Sequence, residues 1–399
     1  MLLESRKHAE GTADGCRPDP AKDIFRLHEV IMIYVTTKRI YLKQLTWEDI
    51  LFGENNRFAE DNGSKTITHV LDSIPEKYMN KINVDGMVER LKRFNASHAQ
   101  LLETNKELLY KTFFIPKASG GMRRIDAPNE DLKFALTELK SILENEFRVL
   151  YHTAAFAYVK GRSIVDAAKK HQSNESNWYM KTDFSGFFPH TTKEFVMRMF
   201  SIIYPLNLIM ENEEGKNEIS KALDLCFLNG GLPQGTPVSP TLTNIICIPI
   251  DHALFNHFAH KRIVYTRYAD DMQFSCVQSF EQKEIINTVN EILKRFDAPW
   301  SIKKEKTHYG SRAGRNWILG LMVNKDNEIT IGHARKKEYK AMLCNFAVKP
   351  EAWSMDDVKR LQGLTSYYKS IEPEYIKYLI EQASKKFNCD IEYKMKHFA

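Results

Sequence analysis

The apolar positions of this chain recur mostly at the spacing of helices. From Ile24 to about Leu108 the interval is three or four residues, as in Met87, Leu91 and Phe94, which predicts helices. The same period or a helix-start signal predicts further helices from 129 to 143, over 192–228 with a break at Glu211–Lys216, from Ser239, over 284–296 and through the last 50 residues.

Several of the predicted helices have recognisable start signals or interruptions. Ser239 followed by Pro240 predicts an N-cap and a first helical residue, and Pro249 should kink that helix because it removes one backbone hydrogen bond. Ser354 with Asp357 predicts a capping box, and Pro373 predicts the start of another helix.

Strand signals separate these helices. Residues 111–127 predict a hairpin whose turn is Ala-Ser-Gly-Gly at 118–121. Ile263–Val277 alternates with period two around a tight Ala-Asp-Asp, which predicts a second hairpin with Met272 and Phe274 on one side and Gln273 and Ser275 on the other. Strands are also predicted at 178–182, 317–323 and 328–331. Helices and strands in this order indicate an α+β fold.

Composition is compatible with a folded intracellular protein. A chain of 399 residues, 43% of them hydrophobic, can bury one large core or two to three smaller ones. The six cysteines lie far apart without a C-x-x-C spacing, which favours reduced thiols over disulfides or a zinc site. No run of 18 apolar residues and no signal-peptide core occurs, so we expect a cytoplasmic protein without a membrane partner.

The positive charge is concentrated in one segment. Residues 301–340 contain ten Lys or Arg against four acids, a surplus equal to the net charge of +6 of the whole chain. Such a basic stripe is typical of contact with a phosphate backbone. A solvated charged face is the alternative, and composition alone leaves both open.

Three acids stand at the ends of apolar strands. Asp183 follows the strand at 178–182, and Asp270 and Asp271 form the tip of the second hairpin. Carboxylates at such positions are costly unless they are paired or hold cations. Two Mg²⁺ ions roughly 4 Å apart, held by carboxylates from different strands, activate an attacking hydroxyl and stabilise a leaving pyrophosphate. The alternative for Asp270-Asp271 is a simple turn.

Seven short motifs around these acids occur in the order found in reverse transcriptases. Three resemble palm motifs: Asp-Phe-Ser-Gly-Phe-Phe at 183–188, Gly-Leu-Pro-Gln-Gly-Thr-Pro-Val-Ser-Pro at 231–240 and Tyr-Ala-Asp-Asp at 268–271. The others resemble the fingers motif of bacterial retron and group II intron enzymes (115–128), the fourth and fifth palm motifs (Lys306-Thr307 and Leu319-Gly320) and a thumb helix (361–363). The resemblance spans about 111–387 and identifies the chain as a reverse transcriptase.

That resemblance implies a right-hand polymerase with a ferredoxin-like palm, mixed fingers and a helical thumb. Its expected domains are an N-terminal tail and helical extension over 1–105, fingers over 106–178 and 201–235, palm over 179–200 and 236–340, and thumb over 341–399. The implied reaction joins a primer 3′-OH, or a protein hydroxyl, to the α-phosphate of a dNTP.

The family assigns roles to individual positions of this chain. Asp183, Asp270 and Asp271 match the metal-binding triad, and the backbone carbonyl of Phe184 would be a further ligand. The implied cofactor is two Mg²⁺ ions, with Mn²⁺ as an alternative.

Other positions match the nucleotide site. Lys117 and Arg123 match the finger residues that grip the incoming triphosphate, and Gln234 matches the glutamine lining the nucleotide pocket. Phe188 matches the steric gate whose aromatic face collides with a ribose 2′-OH; simple core packing is its alternative.

Basic residues have more open assignments. Lys306 is either the general acid that protonates pyrophosphate or an exposed lysine of the basic stripe. Contacts with template or primer phosphates are expected from five residues, namely Arg312, Arg315, Arg335, Lys336 and Lys337.

The lineage is suggested by departures from retron enzymes. These carry Asn-Ala-x-x-His before the palm, where this chain has Ala167-Ala168-Lys-Lys-His171, and Val-Thr-Gly near the thumb, where it has Ile318-Leu319-Gly320. A polymerase with an N-terminal extension and little beyond the thumb looks most like retron-related, defence-associated bacterial enzymes. These make DNA on a dedicated noncoding RNA in immunity against phage.

The implied partners are a structured noncoding RNA template, the DNA product, dNTPs and an effector protein. Three alternatives stay open: a retron reverse transcriptase, a protein-primed or untemplated polymerase of the abortive-infection type, and a catalytically silent RNA-binding scaffold.

Overall fold

The computed structural model describes residues 83–398 except 118–119 and 313–316, and at Lys304 and Trp317 it describes the backbone alone. The predicted extension up to residue 82, two residues of the finger turn and Arg315 therefore lie outside the described residues. Among the described helices, none is long and apolar enough to span a membrane.

The described chain alternates helices and strands. The helices are α1 (Val84–Ser97), α2 (Ala99–Glu103), α3 (Glu130–Ser141, continued by a π turn over Ile142–Glu146), α4 (Ile164–Ser173), α5 (Lys193–Phe200), α6 (Leu206–Glu211), α7 (Glu213–Asp224), α8 (Ser239–Ile246), α9 (Ile248–His260), α10 (Gln282–Arg295), α11 (His333–Val348), α12 (Met355–Lys369), α13 (Pro373–Lys386) and α14 (Ile391–Lys396). The strands are β1 (Tyr110–Pro116), β2 (Met122–Pro128), β3 (Trp178–Ser185), β4 (Val264–Tyr268), β5 (Asp271–Cys276), β6 (Ser301–Ile302), β7 (His308–Ser311), β8 (Trp317–Ile318), β9 (Leu321–Val323) and β10 (Ile329–Thr330). Short 3-10 turns lie at Lys106–Leu109, Lys304–Lys306 and Pro350–Ala352.

An antiparallel sheet forms the centre of the described chain. Its order is β4-β5-β3-β6, with β7 also paired to β3. One face packs on the long helix α9, where the rings of Phe258 and Phe274 lie 5.0 Å apart. The other face packs on α4. His171 of that helix is buried and bonds to Thr266 and Ser275 at 2.8 and 2.7 Å.

The covering helix changes one prediction. Gln273 and Ser275, expected on the more polar side of the hairpin, are both buried because α4 closes that face of the sheet. The hydroxyl of Ser275 is satisfied there by His171, whereas Gln273 Nε2 is buried without a hydrogen-bond partner among the described residues. A second sheet, β8-β9-β10, packs beside α4, and Ala168, Tyr179 and Leu321 share one apolar cluster.

The finger hairpin β1-β2 is held to the loop before α8. The amide of Asp126 donates to the carbonyl of Gln234 at 2.8 Å. An added Cβ at Gly235 would lie 3.0 Å from the carbonyl oxygen of Asp126. A glycine is therefore needed where hairpin and loop approach. The predicted hairpin is confirmed, although its apolar residues Phe113 and Phe114 are exposed.

The four C-terminal helices bury a core of their own, which includes Tyr339, Leu343, Leu361 and Ile376. Helix α11 starts at His333, so the expected palm–thumb boundary at 340/341 falls within this helix. The predicted capping box of Ser354 and the helix start at Pro373 are confirmed.

One helix prediction is confirmed and another needs correction. The break predicted around 211–216 is present, since α6 ends at Glu211 and Asn212 caps α7 by accepting from the amide of Gly215 at 2.9 Å. A second, wider interruption lies at 201–205. Ser239 is not an N-cap: its hydroxyl donates to the carbonyl of Pro233 at 2.9 Å, and Val238 precedes the helix instead.

The predicted single strand over 317–323 is a small hairpin. Leu319 and Gly320 have φ values of +53° and +84° and reverse the chain between β8 and β9. Because such a conformation is unusual for leucine, sequence alternation alone does not reveal it. Pro249 does interrupt the helical segment, which restarts at Ile248.

Candidate active site

The central sheet brings two of the three predicted acids face to face. In the β3–β5 register Asp183 lies opposite Asp271, and their carboxyl groups are hydrogen bonded. The Asp183 residue is only 5% exposed. Neighbouring strands place directly opposite side chains on the same face of a sheet, so the alternation of both strands leads to this contact.

The hairpin tip supplies the third acid. Ala269 has φ +57°, which allows β4 to turn into β5 within two residues. The amide of Phe184 donates to the carbonyl of Asp270 at 3.0 Å. The tip is therefore attached to the end of β3, and the charge of Asp183 is near enough to act on the Asp270 carboxyl.

Each facing carboxylate has its own lysine. Lys306 Nζ lies 3.0 Å from Asp183 Oδ2, and Lys181 Nζ lies 3.0 Å from Asp271 Oδ1. Lys306 was predicted to be part of the site, but Lys181 was not. Its signal in the sequence is its position two residues before Asp183, since residues i and i+2 of a strand share a face.

The protonation of the acids follows from this packing. Burial and the hydrogen bond with Asp183 raise the pKa of Asp271 to about 7. Burial alone would also raise the pKa of Asp183, but its bonds with Asp271 and Lys306 outweigh that effect and lower it. Burial, together with repulsion from Asp183, raises the pKa of Asp270. The hydrogen bond to Asp183 raises the pKa of Lys306.

The donor atoms of this cluster suit a hard cation. Oδ1 of Asp183 is buried and has no hydrogen-bond partner among the described residues, and a positive ion there would remove both that cost and the repulsion among the acids. Within the described part of the chain, no three or more His, Cys, Asp or Glu side chains converge closely enough to hold a metal ion. The positive groups that contact these acids are the side chains of Lys306 and Lys181.

The aromatic residues that follow Asp183 differ in how far they are buried. Phe184 is fully buried, and its ring stacks on that of Phe187 with centroids 5.7 Å apart. Phe188 is half-buried, and its carbonyl accepts from the amide of Leu232 at 3.0 Å. A Cβ on Gly231 would lie 2.0 Å from the Pro189 carbonyl oxygen, so only glycine permits this contact.

The finger residues lie at the far end of their hairpin. Lys117 and Arg123 are both exposed, close to the turn that joins β1 and β2. Gln234 is half-buried in the loop that holds the hairpin base. Gln234 therefore lies beside the base of the hairpin, whereas Lys117 and Arg123 lie near its tip.

Tyr158 is influenced by residues of both fingers and palm and has no signal in the sequence. Burial and the charge of Asp270 raise its pKa, whereas the charge of Arg123 acts against that shift. Arg123 of the fingers and Asp270 of the palm are therefore both near enough to Tyr158 to affect its ionisation. The ring is 54% exposed and its backbone has φ +58°, a conformation with no signal in the sequence.

Three of the predicted phosphate-binding residues also bond to protein groups. Arg312 donates to Asn327 Oδ1 at 2.6 Å, and Arg335 donates to the carbonyl of Gly320. Lys336 lies 2.5 Å from Glu372 and over the ring of Tyr375 at 4.1 Å. Lys337 is exposed, and Arg315 lies outside the described residues.

The cluster offers carboxylate oxygens beside a cationic proton donor. Such oxygen ligands suit Mg²⁺ or Mn²⁺, and stabilisation of transferred phosphoryl groups depends mainly on positioning and positive charge. The arrangement is suited to phosphoryl transfer.

Comparison with known proteins identifies relatives of the described region. The family "Reverse transcriptase (RNA-dependent DNA polymerase)" matches residues 115–346. Retron Ec83 reverse transcriptase of Escherichia coli is 27% identical over 292 residues, which cover 70% of this chain and 88% of that protein. Retron Ec73 reverse transcriptase of the same organism is 29% identical, covering 66% and 84%. Among solved structures, a Candida albicans telomerase in complex with a telomeric RNA fragment superimposes with a TM-score of 0.42 at 12% identity, over 92% of this chain and 75% of that one.

Proposed function

The chain belongs to the reverse transcriptase family, with the right-hand polymerase fold and RNA-directed DNA polymerase activity of that family, and from this premise we propose which of its residues perform the reaction. The catalytic acids are Asp183, Asp270 and Asp271. The observation that carries this assignment is the pairing of Asp183 with Asp271 across β3 and β5, with the backbone of Asp270 bonded to Phe184 at the hairpin tip.

The three acids and the backbone carbonyl of Phe184 would hold two divalent metal ions, Mg²⁺ or alternatively Mn²⁺. The unpartnered Oδ1 of Asp183 and the raised pKa of Asp271 support this, because both indicate a site that favours added positive charge. When bound, such ions lower the pKa of the attacking hydroxyl and neutralise charge on the phosphates.

The residues of the chain then orient the substrates and move a proton. The primer 3′-OH releases its proton to solvent water as its oxygen forms a bond to the α-phosphorus of the dNTP, and the bond from that phosphorus to pyrophosphate breaks. Lys306 Nζ donates a proton to the leaving pyrophosphate, and its contact with Asp183 supports this role by favouring the protonated lysine.

The nucleotide would lie between fingers and palm. Lys117 and Arg123 grip its triphosphate, Gln234 lines its pocket, and the ring of Phe188 excludes a ribose 2′-OH. The half-buried position of Phe188 and the hydrogen bond of its backbone carbonyl with Leu232 support the gate, because a held backbone limits where the ring can lie.

The template is proposed to be a dedicated structured noncoding RNA, and the DNA made on it to act with an effector protein in bacterial defence against phage. Similarity to proteins named retron reverse transcriptases supports this proposal. We propose that the N-terminal region up to residue 105 recognises the RNA. The fingers then comprise residues 106–178 and 201–235, and the palm comprises residues 179–200 and 236–340. The thumb comprises 341–399 together with the first turns of α11.

Primer extension by the purified full-length protein tests the proposal. With Mg²⁺ and dNTPs, the wild type should copy a primed RNA, whereas the double variant Asp270→Asn with Asp271→Asn should not. Sequencing of the product distinguishes the alternatives, because an untemplated polymerase yields DNA unrelated to the template. Extension by the double variant at the wild-type rate would contradict the site assignment.

A further inference from the structure

A fully buried ion pair joins β4 of the hairpin that carries Asp270 and Asp271 to helix α9. Arg267 Nε and Nη2 donate to the two carboxylate oxygens of Asp251, each at 2.8 Å. The two side chains are 1% and 0% exposed. A buried pair of this kind is weak support for stability, since apolar replacements are often as stable. Its position therefore suggests another role.

The remaining nitrogen of the guanidinium reaches the catalytic turn. Arg267 Nη1 donates to the carbonyl of Ala269 at 3.0 Å and to Asn244 Oδ1 at 3.2 Å. Ala269 is the residue with φ +57° between the strands, a conformation that a Cβ disfavours and glycine does not. A charge-assisted hydrogen bond to its carbonyl opposes that preference.

The same network reaches the other side of the cleft. Asn244 Nδ2 donates to the carbonyl of Ala157 at 2.7 Å, next to Tyr158, which also has a left-handed backbone. The amide of Arg267 donates to the carbonyl of Ala154 at 2.7 Å. The backbone carbonyls of Ala269 and of Ala157, the neighbour of Tyr158, thus both accept hydrogen bonds from the buried network of Arg267 and Asn244.

We propose that Arg267, oriented by Asp251 and Asn244, is a positioning residue that holds Ala269 in its left-handed conformation and thereby sets Asp270 and Asp271 against Asp183. This inference rests on the proposed function of those acids. Arg267 does not touch the substrates. It acts through the turn, whose carbonyl at Asp270 in turn accepts from the amide of Phe184.

A double-mutant cycle with Ala269→Gly separates this role from general core packing. Arg267→Lys keeps the charge but lacks the planar fork that serves Asp251 and Ala269 together. We expect it to lower kcat for primer extension at least tenfold in the otherwise wild-type chain, and at most threefold in the Ala269→Gly background. Glycine adopts the turn without help, so the loss of the arginine should matter less there.

Tyr265→Phe is the matched control. The Tyr265 hydroxyl donates to the same carboxylate, at 2.8 Å from Asp251 Oδ1, but the turn receives its hydrogen bond from Arg267. The Tyr265→Phe variant should lower the melting temperature. It should change kcat by the same factor in the wild-type background and in the Ala269→Gly background. If Arg267→Lys does not fold, Asp251→Asn is carried through the same cycle, because it weakens the hold on Arg267 with little change in volume.

Hydrogen exchange supplies a readout other than activity. Arg267→Lys should speed exchange of the Phe184 amide, and Tyr265→Phe should not. Equal kcat losses for Arg267→Lys in both backgrounds, or unchanged exchange at Phe184, would overturn the positioning role. Failure of the proposed function is distinguishable, since in that case the wild-type protein itself extends no primer.

Discussion

Asp183 and Asp271 face each other in register across β3 and β5 and share a hydrogen bond, which only a protonated carboxyl can donate. Burial and this bond raise the pKa of Asp271 to about 7, whereas the pKa of Asp183 is lowered. Near neutral pH the pair therefore carries roughly one negative charge instead of two. At pH values where the unfolded chain has already released this proton, the native state still holds it. The free energy of unfolding therefore falls as the pH rises through that range.

The first prediction concerns stability against pH. An unfolded aspartate has a pKa of about 3.9, so between that pH and about 7 the native protein binds the extra proton, and its stability falls as pH rises. Asp271→Asn removes this loss. We expect the variant to exceed wild type in free energy of unfolding by about 1 kcal/mol or more at pH 8, and the difference to vanish towards pH 4.

Chemical denaturation at several pH values measures that difference. Addition of Mg²⁺ should stabilise the wild type at pH 8 and have little effect on Asp271→Asn, because the metal and the amide relieve the same repulsion. Asp297→Asn, at a side chain 74% exposed, is the control and should show neither effect. A difference independent of pH would show that Asp271 has an ordinary pKa.

The second prediction concerns sugar selection. Phe188→Ala should raise the ratio of ribonucleotide to deoxyribonucleotide incorporation by about 10- to 100-fold, since it opens space where a 2′-OH would lie. Single-nucleotide incorporation on one template measures the ratio. Phe187→Leu is the control: Phe187 is 3% exposed, and its change should lower stability and leave the ratio unaltered. An unaltered ratio in Phe188→Ala would assign Phe188 to the core.

The third prediction compares the two lysines beside the acids. Lys306→Met should lower the single-turnover rate by about 100-fold or more and bring its solvent deuterium isotope effect close to one, because the proton donor is lost. Lys181→Met removes an equivalent charge from beside Asp271 and should retain the isotope effect. An unchanged isotope effect in Lys306→Met would show that water protonates pyrophosphate.

The positions of the acids could be predicted from sequence because they depend on local patterns. Alternation around Asp270-Asp271 predicts the hairpin, and the resemblance of the motifs assigns its two acids to one triad with Asp183. Lys181 was missed because an isolated lysine in a strand also fits the solvent-facing side. The network of Arg267 and Asp251 was missed for a different reason: the two residues lie 16 positions apart on different elements, and no local pattern indicates their contact.

Burial of charged residues was equally hard to anticipate. Arg312 and Lys336 occur in a basic stretch typical of nucleic-acid contact, yet both are half-buried and bonded to protein groups. Their partners come from later residues, such as Glu372. Composition counts charges, but only tertiary packing determines which of them face solvent.

The fourth prediction follows from that difference. Lys337→Gln should lower the dependence of nucleic-acid affinity on salt by about 0.7–0.9 in the log–log slope, the value of one phosphate contact. Lys336→Gln should leave the slope unchanged and lower the free energy of unfolding by about 1–3 kcal/mol, because it breaks the contact with Glu372. Binding titrations at several salt concentrations test both. A lower slope in Lys336→Gln alone would place the phosphate contact at Lys336.

The last prediction concerns selection of the RNA. Specific RNA partners are recognised by shape and through loops, which requires surface beyond a generic primer-template groove. The chain has about 100 residues ahead of the finger hairpin, and helix α1 at the end of that region packs on α7, where Asn95 Nδ2 donates to the Glu218 carbonyl at 2.8 Å. A truncation that respects the fold therefore ends before Asn83.

Deleting residues 1–82 should leave extension of a generic primer-template within about threefold of wild type, while the yield of the cognate RNA that co-purifies falls at least about tenfold, the range of a lost specific contact. Deleting 1–100 is the matched contrast. It also removes Leu91 and Phe94, both fully buried, and should lower the melting temperature through the lost core. If the shorter truncation folds and retains the same RNA at the same yield, RNA selection resides within 83–399. The first 82 residues are then better explained as a docking surface for the effector, which a comparison of effector binding by the full-length chain and by the 1–82 deletion would test.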